Sequence, residues 1–290
     1  MELRRARPWL GTLVEVRVAG VDESRALEAV NAAFAEIAAV HRLMSFHAYD
    51  SDLARLNRHA AVESIAVDAR THAVIAQALQ FARDSDGRFD PSIAHELVAR
   101  GILPRPPDAP QADPRANWRD VILGDDGCIR YARPLWLDLG GIAKGYAVDR
   151  AIDALRATGI RQACVNAGGD LRRMGCGVER IEVRCPEAPQ FVFPAFELGE
   201  GSVASSGGYF ERRRERGRWI SPHIHGRSRR PLGTANAVSV VAEKCVVADG
   251  LTKIVLADPH AARPVLDAYA ASACVHTLGE GWRVFGQTAA

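Results

Sequence analysis

The spacing of apolar positions changes period several times along the chain, and each change marks an element. Thr12 to Val18 alternate, with Val14, Val16 and Val18 on one side and Glu15 and Arg17 on the other, the pattern of a half-buried strand. From about Ser24 to Met44 the step lengthens to three and four, so that Leu27, Val30, Phe34 and Ile37 share one helical face. The polar stretch His47-Ala48-Tyr49-Asp50-Ser51-Asp52 predicts a loop, then a short helix capped by Ser51 or Asp52. Val74, Ile75, Ala78 and Leu79 predict a helix over Thr71–Arg83, turned at Asp86-Gly87. Prolines crowd the segment from Pro104 to Pro114, which reads as a surface excursion over about 104–119.

The second half alternates differently. A short strand at Leu135–Leu137 leads into a helix over Val148, Ile152 and Leu155 that stops near Gly159, followed by a strand at Ala163–Val165. Strands are predicted over Val178–Val183, Phe191–Leu198, Gly208–Ile220 and Ala237–Val241. Helices follow at Cys245–Leu256 and His260–Ala270, with a closing strand at Val284-Phe285. Hairpin-like strands with separate helices predict an α+β fold rather than a doubly wound sheet, and the length allows one large domain or two small ones.

Composition removes whole classes of function. With 290 residues the chain can bury a core without metal or disulfide staples. A net charge of +2 argues against a nucleic-acid partner, and no apolar run is long enough to span a membrane. No C-x-x-C pair occurs among the six cysteines, so zinc is not expected and a reduced set is. The basic start, Met1 to Trp9, lacks an apolar signal region, which predicts a cytoplasmic protein. Lysine occurs only at Lys144, Lys244 and Lys253, against 34 arginines, so a lysine in a special context carries information.

Four segments carry candidate chemistry. Leu137-Asp-Leu-Gly-Gly-Ile-Ala-Lys-Gly-Tyr-Ala-Val-Asp149 places a glycine pair, Gly140 and Gly141, before a helix, an arrangement that aims backbone N–H groups at an anion. Lys144 in the first turn opposes the helix dipole and therefore needs a reason. Asn166-Ala-Gly-Gly-Asp170 and Ser205-Ser206-Gly207-Gly208-Tyr209 are further glycine-rich corners, each readable as a tight turn or as a ligand loop. Asp249 lies in an otherwise apolar helix and would be costly to bury alone; a hard cation or an ion pair with Lys253, four positions on, would solve this.

In this order, these segments resemble the ApbE family of flavin transferases. Asp138 to Asp149 match the family's D-L-G-G-I-A-K-G-Y-A-V-D letter for letter. Met44 to Asn57 resemble its M-S-x-(Y/F) and D-S-x-(L/I)-x-x-L-N, Gly87 to Pro91 its G-x-F-D-P, Asn166 to Asp170 its N-A-G-G-D, and Ser206 to Tyr209 its S-G-x-Y. The resemblance implies a single ApbE/T-fold-like domain over residues 1–290, of mainly antiparallel sheets packed with helices, with an FAD pocket in a central cleft. It implies Mg²⁺-dependent splitting of FAD, attachment of FMN through its phosphate to a Ser or Thr of an acceptor flavoprotein, and release of AMP. Met44, Asp90, Asp138, Gly140, Gly141, Lys144, Asn166, Gly168, Gly169, Asp170, Ser206 and Gly207 would line the FAD site. Asp249, a backbone carbonyl near Gly141, and Thr252 would hold the metal, and His223 and Asp249 would serve catalysis.

Two departures set alternatives beside this expectation. The family's H-x-I-D-P-x-T-G-x-P corresponds to Ser221–Pro231, where His225 stands in place of the aspartate and a one-residue slip restores the histidine at His223. The family's Thr or Ser four residues after the metal aspartate is Lys253 here, with Thr252 one residue early. The competing expectations are an FAD-binding protein without transfer and an FAD pyrophosphatase. The run from Arg212 to Arg218, with Glu211 and Glu215, reads as a solvated hairpin tip, with Trp219 anchoring its strand in the core.

Overall fold

Alternation of Val14, Val16 and Val18 builds one of eight strands that pair, in chain order, into an antiparallel sheet: β1 (Glu2–Trp9), β2 (Thr12–Ala19), β3 (Gln162–Ala167), β4 (Asp170–Met174), β5 (Gly201–Gly207), β6 (Asn236–Ala242), β7 (Ser272–Thr277) and β8 (Gly281–Gly286). The computed structural model describes residues 1–184, 192–208, 212–215, 217–234 and 236–286. Cys185, Phe191, Tyr209, Glu211 and Arg216 lie outside the described residues. The chain divides into two compact units: residues 1–39, 144–209 and 235–290 form the first, and residues 40–143 and 210–234 the second.

In the first unit, β2 turns its valines onto a core shared with Val30, Phe34 and Ile37 of the helix Glu23–Met44 and with Val148, Ile152 and Leu155 of the helix Ala143–Ala157. Each such buried aliphatic contributes roughly 1.5–3 kcal/mol. Leu27, expected on the buried face, is 43% exposed; Ala26, Ala29 and Ala33 take the contact instead. β1 was not expected, because its arginines hide it: Arg4, Arg5 and Arg7 are exposed on an edge strand, where charge discourages further pairing. The composition of Ser205–Tyr209 predicts a corner; Ser205 and Ser206 are instead in strand β5, and the Ser205 hydroxyl meets that of Ser239 on β6 at 2.8 Å. The helix Cys245–Ala257 packs on β5 and β6. The predicted helix His260–Ala270 shrinks to Arg263–Ala268.

The second unit holds the helices Asp52–His59, Ala69–Asp84 and Ala94–Ala99 and a small sheet of Ile65–Ala66, Cys128–Tyr131 and Val121–Leu123. Val74, Ile75, Ala78 and Leu79 are buried, as their spacing predicts. Ser51 caps the first helix, accepting from the Ala54 N–H at 3.0 Å; Asp52 is used elsewhere, accepting from the Asp68 N–H and the Thr71 hydroxyl. The proline-rich segment is only partly a surface excursion. Ala109 and Ala112 pack on Trp136, whose indole N–H donates to the Pro110 carbonyl at 3.0 Å. Leu135–Leu137 forms no strand. Among the described residues of Gly208–Ile220, a short hairpin, Arg213–Glu215 with Arg218–Ile220, replaces the predicted strand. Trp219 is 52% exposed rather than a core anchor, and the Arg212 guanidinium stacks on its ring.

Candidate active site

The polar centre of the first unit is a cluster of two buried acids and two lysines. Asp170 opens β4 directly after the two-residue hairpin Gly168-Gly169, whose φ angles of 68° and 105° suit glycine. Asn166 closes that turn by accepting from the Gly169 N–H at 2.8 Å. The tight-turn reading of this segment therefore holds, and the turn also delivers Asp170. Lys144 reaches the Asp170 carboxylate and lies 4.0 Å from Asp249. This is the reason its place in the first helical turn required.

Asp249 has no solvent exposure. Its Oδ2 accepts from the Gly145 N–H at 3.0 Å, one of the amide groups that a helix N-terminus leaves unused. Gly145 must be glycine: a Cβ there would collide with the Cys245 carbonyl and come within 2.8 Å of the Asp249 Cβ. The same two helices are fastened a turn later, where Asp149 accepts from the Cys245 and Val246 N–H groups at 3.0 and 2.8 Å and pairs with Arg172 at 2.6 Å. Asp249 Oδ1 receives the Lys253 ammonium at 2.5 Å, so the ion pair at four-residue spacing forms. Ser206 and Thr252 complete the group, their hydroxyls 2.9 Å apart, and Thr252 donates to the Asp249 carbonyl at 2.7 Å. Gly207 is the last residue of β5 beside them.

Electrostatics separate the two acids. Burial opposes charge on Asp249, but Lys144 and Lys253 outweigh it and hold the carboxyl below its ordinary value. Burial and the nearby charge of Asp249 push Asp170 above its ordinary value, despite the lysines. Burial likewise works against the Lys144 ammonium, and Asp249 and Asp170 lift it above the ordinary lysine range.

The remaining predicted residues belong to the second unit. Met44 is buried. The Leu137–Asp138 backbone is held by the other motifs. Asn57 brackets Leu137, accepting from its N–H at 2.8 Å and donating to its carbonyl at 3.1 Å, and the Asp138 N–H donates to the Pro91 carbonyl at 2.8 Å. The Asp138 carboxylate turns onto the Gly140 N–H at 3.1 Å, with Gly140 exposed and Gly141 half-buried. Asp90 is buried and engaged: it accepts from the Ser92 N–H and hydroxyl, and from Arg229 at 2.8 Å. Burial raises its carboxyl above the ordinary value even so. His223 is half-buried in a loop where its N–H donates to the Ser221 hydroxyl. His225 Nδ1 accepts from the Ser228 N–H at 3.3 Å, so an acceptor closes this turn although the aspartate is missing.

Sequence reasoning missed Asn57, Asp149, Arg172 and Arg229 as participants. Asn57 and Asp149 close the motifs Met44–Asn57 and Asp138–Asp149, and that place is the signal that marks them. Arg229 lay among neighbouring arginines, and nothing in the sequence distinguishes it. Among the described residues no group of three or more His, Cys, Asp or Glu side chains is arranged to hold a metal, and no helix is long and apolar enough to cross a membrane. The described cysteines, Cys128, Cys164, Cys176, Cys245 and Cys274, are free.

Known proteins resemble this arrangement throughout its length. The FAD:protein FMN transferase of Vibrio cholerae is 29% identical over 261 residues, covering 84% of this chain and 78% of the relative. That of Rhodobacter capsulatus is 32% identical over 255 residues, covering 82% of this chain and 48% of the relative, so the chain spans about half of that protein. The crystal structure of the ApbE protein of Thermotoga maritima superposes with a TM-score of 0.86 at 24% identity, covering 98% of this chain and 96% of the other. The flavin transferase ApbE of Vibrio cholerae superposes with a TM-score of 0.81 at 23% identity, covering 98% and 96%. These likenesses agree on the α+β fold, and the family's sequence profile matches residues 10–275: the chain belongs to the ApbE family.

Proposed function

We propose that this protein is an FAD:protein FMN transferase. The acceptor is a Ser or Thr hydroxyl of a partner flavoprotein. Its oxygen attacks the phosphorus on the FMN side of the FAD pyrophosphate, the bond from that phosphorus to the bridging oxygen breaks, and AMP leaves. The hydroxyl proton passes to a base, for which His223 is the candidate. The observation that carries this reading is the Asp170–Lys144–Asp249–Lys253 cluster beside the Gly168-Gly169 turn, within a family match that spans most of the chain. Phosphoryl transfer asks mainly for positioning and for positive charge near the developing anion, and fixed ammonium groups supply charge.

In this reading Met44 packs on the flavin. Asp138, Gly140, Gly141, Lys144, Asn166, Gly168, Gly169, Asp170, Ser206 and Gly207 present the amides and short polar groups that a nucleotide pyrophosphate requires. Asp90, with its oxygens engaged by Ser92 and Arg229, supports the site by holding the loop at Pro91, which in turn holds Asp138. Asp249 keeps the two lysines in place. The Mg²⁺ that the resemblance implies does not fit the donors as they stand. One Asp249 oxygen takes the Lys253 ammonium and the other a backbone amide, so a dication there would stand beside a fixed positive charge.

The occupation of Asp249 by Lys253 also favours a second reading, an FAD-binding protein without transfer. The deciding experiment incubates the protein with FAD and a peptide bearing an acceptor Thr, and follows AMP release and covalent flavin by mass spectrometry. AMP with FMN-peptide is expected. AMP with only free FMN would mean a pyrophosphatase, and tight FAD binding without AMP would mean the binding-only protein.

A further inference from the structure

We infer that the Lys253 ammonium occupies the position a divalent cation would take, so that Asp249 has a built-in counter-charge and the protein does not bind Mg²⁺ there. The consequence for FAD, binding without a metal, rests on the flavin reading above. The role of Lys253 does not.

Coordination carries the argument. An ammonium has three hydrogens, and Lys253 Nζ meets three oxygens: Asp249 Oδ1 at 2.5 Å, the Ser206 hydroxyl at 3.1 Å and the Asp249 carbonyl at 3.3 Å. Carboxylate, hydroxyl and backbone carbonyl are the oxygen types a hard cation selects. The other Asp249 oxygen, Oδ2, accepts the Gly145 amide, so both carboxylate oxygens already have a donor. A Mg²⁺ ion needs oxygens at about 2.0–2.1 Å in an octahedron. At Asp249 Oδ1 it would share the oxygen with the Lys253 ammonium and be repelled by it at close range.

Charge points the same way. Two carboxylates, Asp170 and Asp249, face two ammonium groups, Lys144 and Lys253, so the cluster is neutral as built. Adding a dication without expelling a lysine would leave uncompensated charge in a site where Asp249 is fully buried. The side chain of Lys253 is itself only 17% exposed, so expulsion means reorganisation rather than a rotamer flip. Two of the chain's three lysines meet here, in a protein that otherwise uses arginine. A compact point charge can replace an ion, and a planar fork cannot.

The test titrates MgCl₂ alone into the FAD-free native protein and into Lys253→Thr by calorimetry, then measures FAD binding by flavin fluorescence in EDTA and in Mg²⁺. The native protein is expected to show no saturable Mg²⁺ binding in the millimolar range. Its FAD affinity should be equal within about twofold in the two buffers. Lys253→Thr is expected to bind Mg²⁺ and to hold FAD more than about tenfold tighter with the metal than without it. Saturable Mg²⁺ binding by the native protein would overturn the inference, as would a folded Lys253→Thr that binds none. Should that variant not fold, Lys253→Met, which keeps the apolar stem and removes the charge, takes its place with the same expectation for Mg²⁺. A native protein that binds no FAD in either buffer would sink the flavin reading, while the metal titrations still decide the role of Lys253.

Discussion

Each unit buries an acid beside a cation, and the two solutions differ. In the first unit Asp249 meets two lysines and one helix amide, and its partners are point charges on flexible stems. In the second, Asp90 meets Ser92 twice and a single Arg229, whose Nη2 also reaches the Ala116 carbonyl at 3.1 Å. The arginine side is a clamp that ties three backbone segments together. The lysine side sets two ammonium groups against two carboxylates at one point. A cation's geometry, rather than its sign, separates the two: a planar fork can bond several groups at once, and an ammonium concentrates its charge.

The largest effects should come from breaking the fastenings that build each region. Asp149→Ala strands the buried Arg172 and uncaps the helix Cys245–Ala257, so denaturant unfolding should show a loss of about 3–5 kcal/mol. A loss below about 1 kcal/mol would mean that the helix is held without this cap. Arg229→Ala should cost less, about 2–4 kcal/mol, because the stranded Asp90 already sits above its ordinary value and can take up a proton. If Arg229→Ala proved the costlier of the two, the second unit would be the more tightly strained.

Acid should separate the regions next. The Asp90 carboxyl is raised by burial, so its native form holds a proton more readily than the unfolded chain does. Its contribution is present at low pH and lost as pH rises from its ordinary 3.8 through the raised native value. Asp249 is lowered, so its contribution is present above 3.8 and lost as pH falls below it. Thermal melts across the acid range, comparing the native protein with Asp90→Asn and with Asp249→Asn, should give stability differences of opposite slope. Equal slopes would refute the contrast. The smallest effect is expected at His225→Asp. An aspartate can accept the Ser228 N–H in place of Nδ1, so unfolding should shift by less than about 1 kcal/mol. A larger shift would show that the imidazole does more than close the turn.

Much of this was legible in the chain. Period two at Val14–Val18 and the steps of three and four in the helices follow from covalent geometry, so β2 and the helices ending near Met44 and Asp84 could be read directly. Edge strands resist such reading: β1 buries one side chain, Leu3, and its arginines look like a tail. β5 resists it for another reason, since Gly201-Ser-Val-Ala-Ser-Ser-Gly207 lacks the bulky residues that mark strands and is held by its neighbours β4 and β6. The site motifs were visible as strings, but their division of labour was not. Asn57, Gly145 and Asp149 hold backbone, while Lys144, Asp170 and Asp249 carry charge.

The amino-acid order alone, then, dictates the periodic elements, the glycine turn before Asp170, the four-residue spacing of Asp249 and Lys253, and kinship with the ApbE family. These depend on neighbours within a few residues, or on strings that survive as strings. That Lys144 neutralises Asp170, that Asp149 caps the helix Cys245–Ala257, and that Arg229 rather than a neighbouring arginine clamps Asp90 depend on residues 26 to 139 positions apart. Local spacing carries no information about such partners. They are selected by the free-energy cost of burying a charge alone, and that cost exists only once the chain has folded.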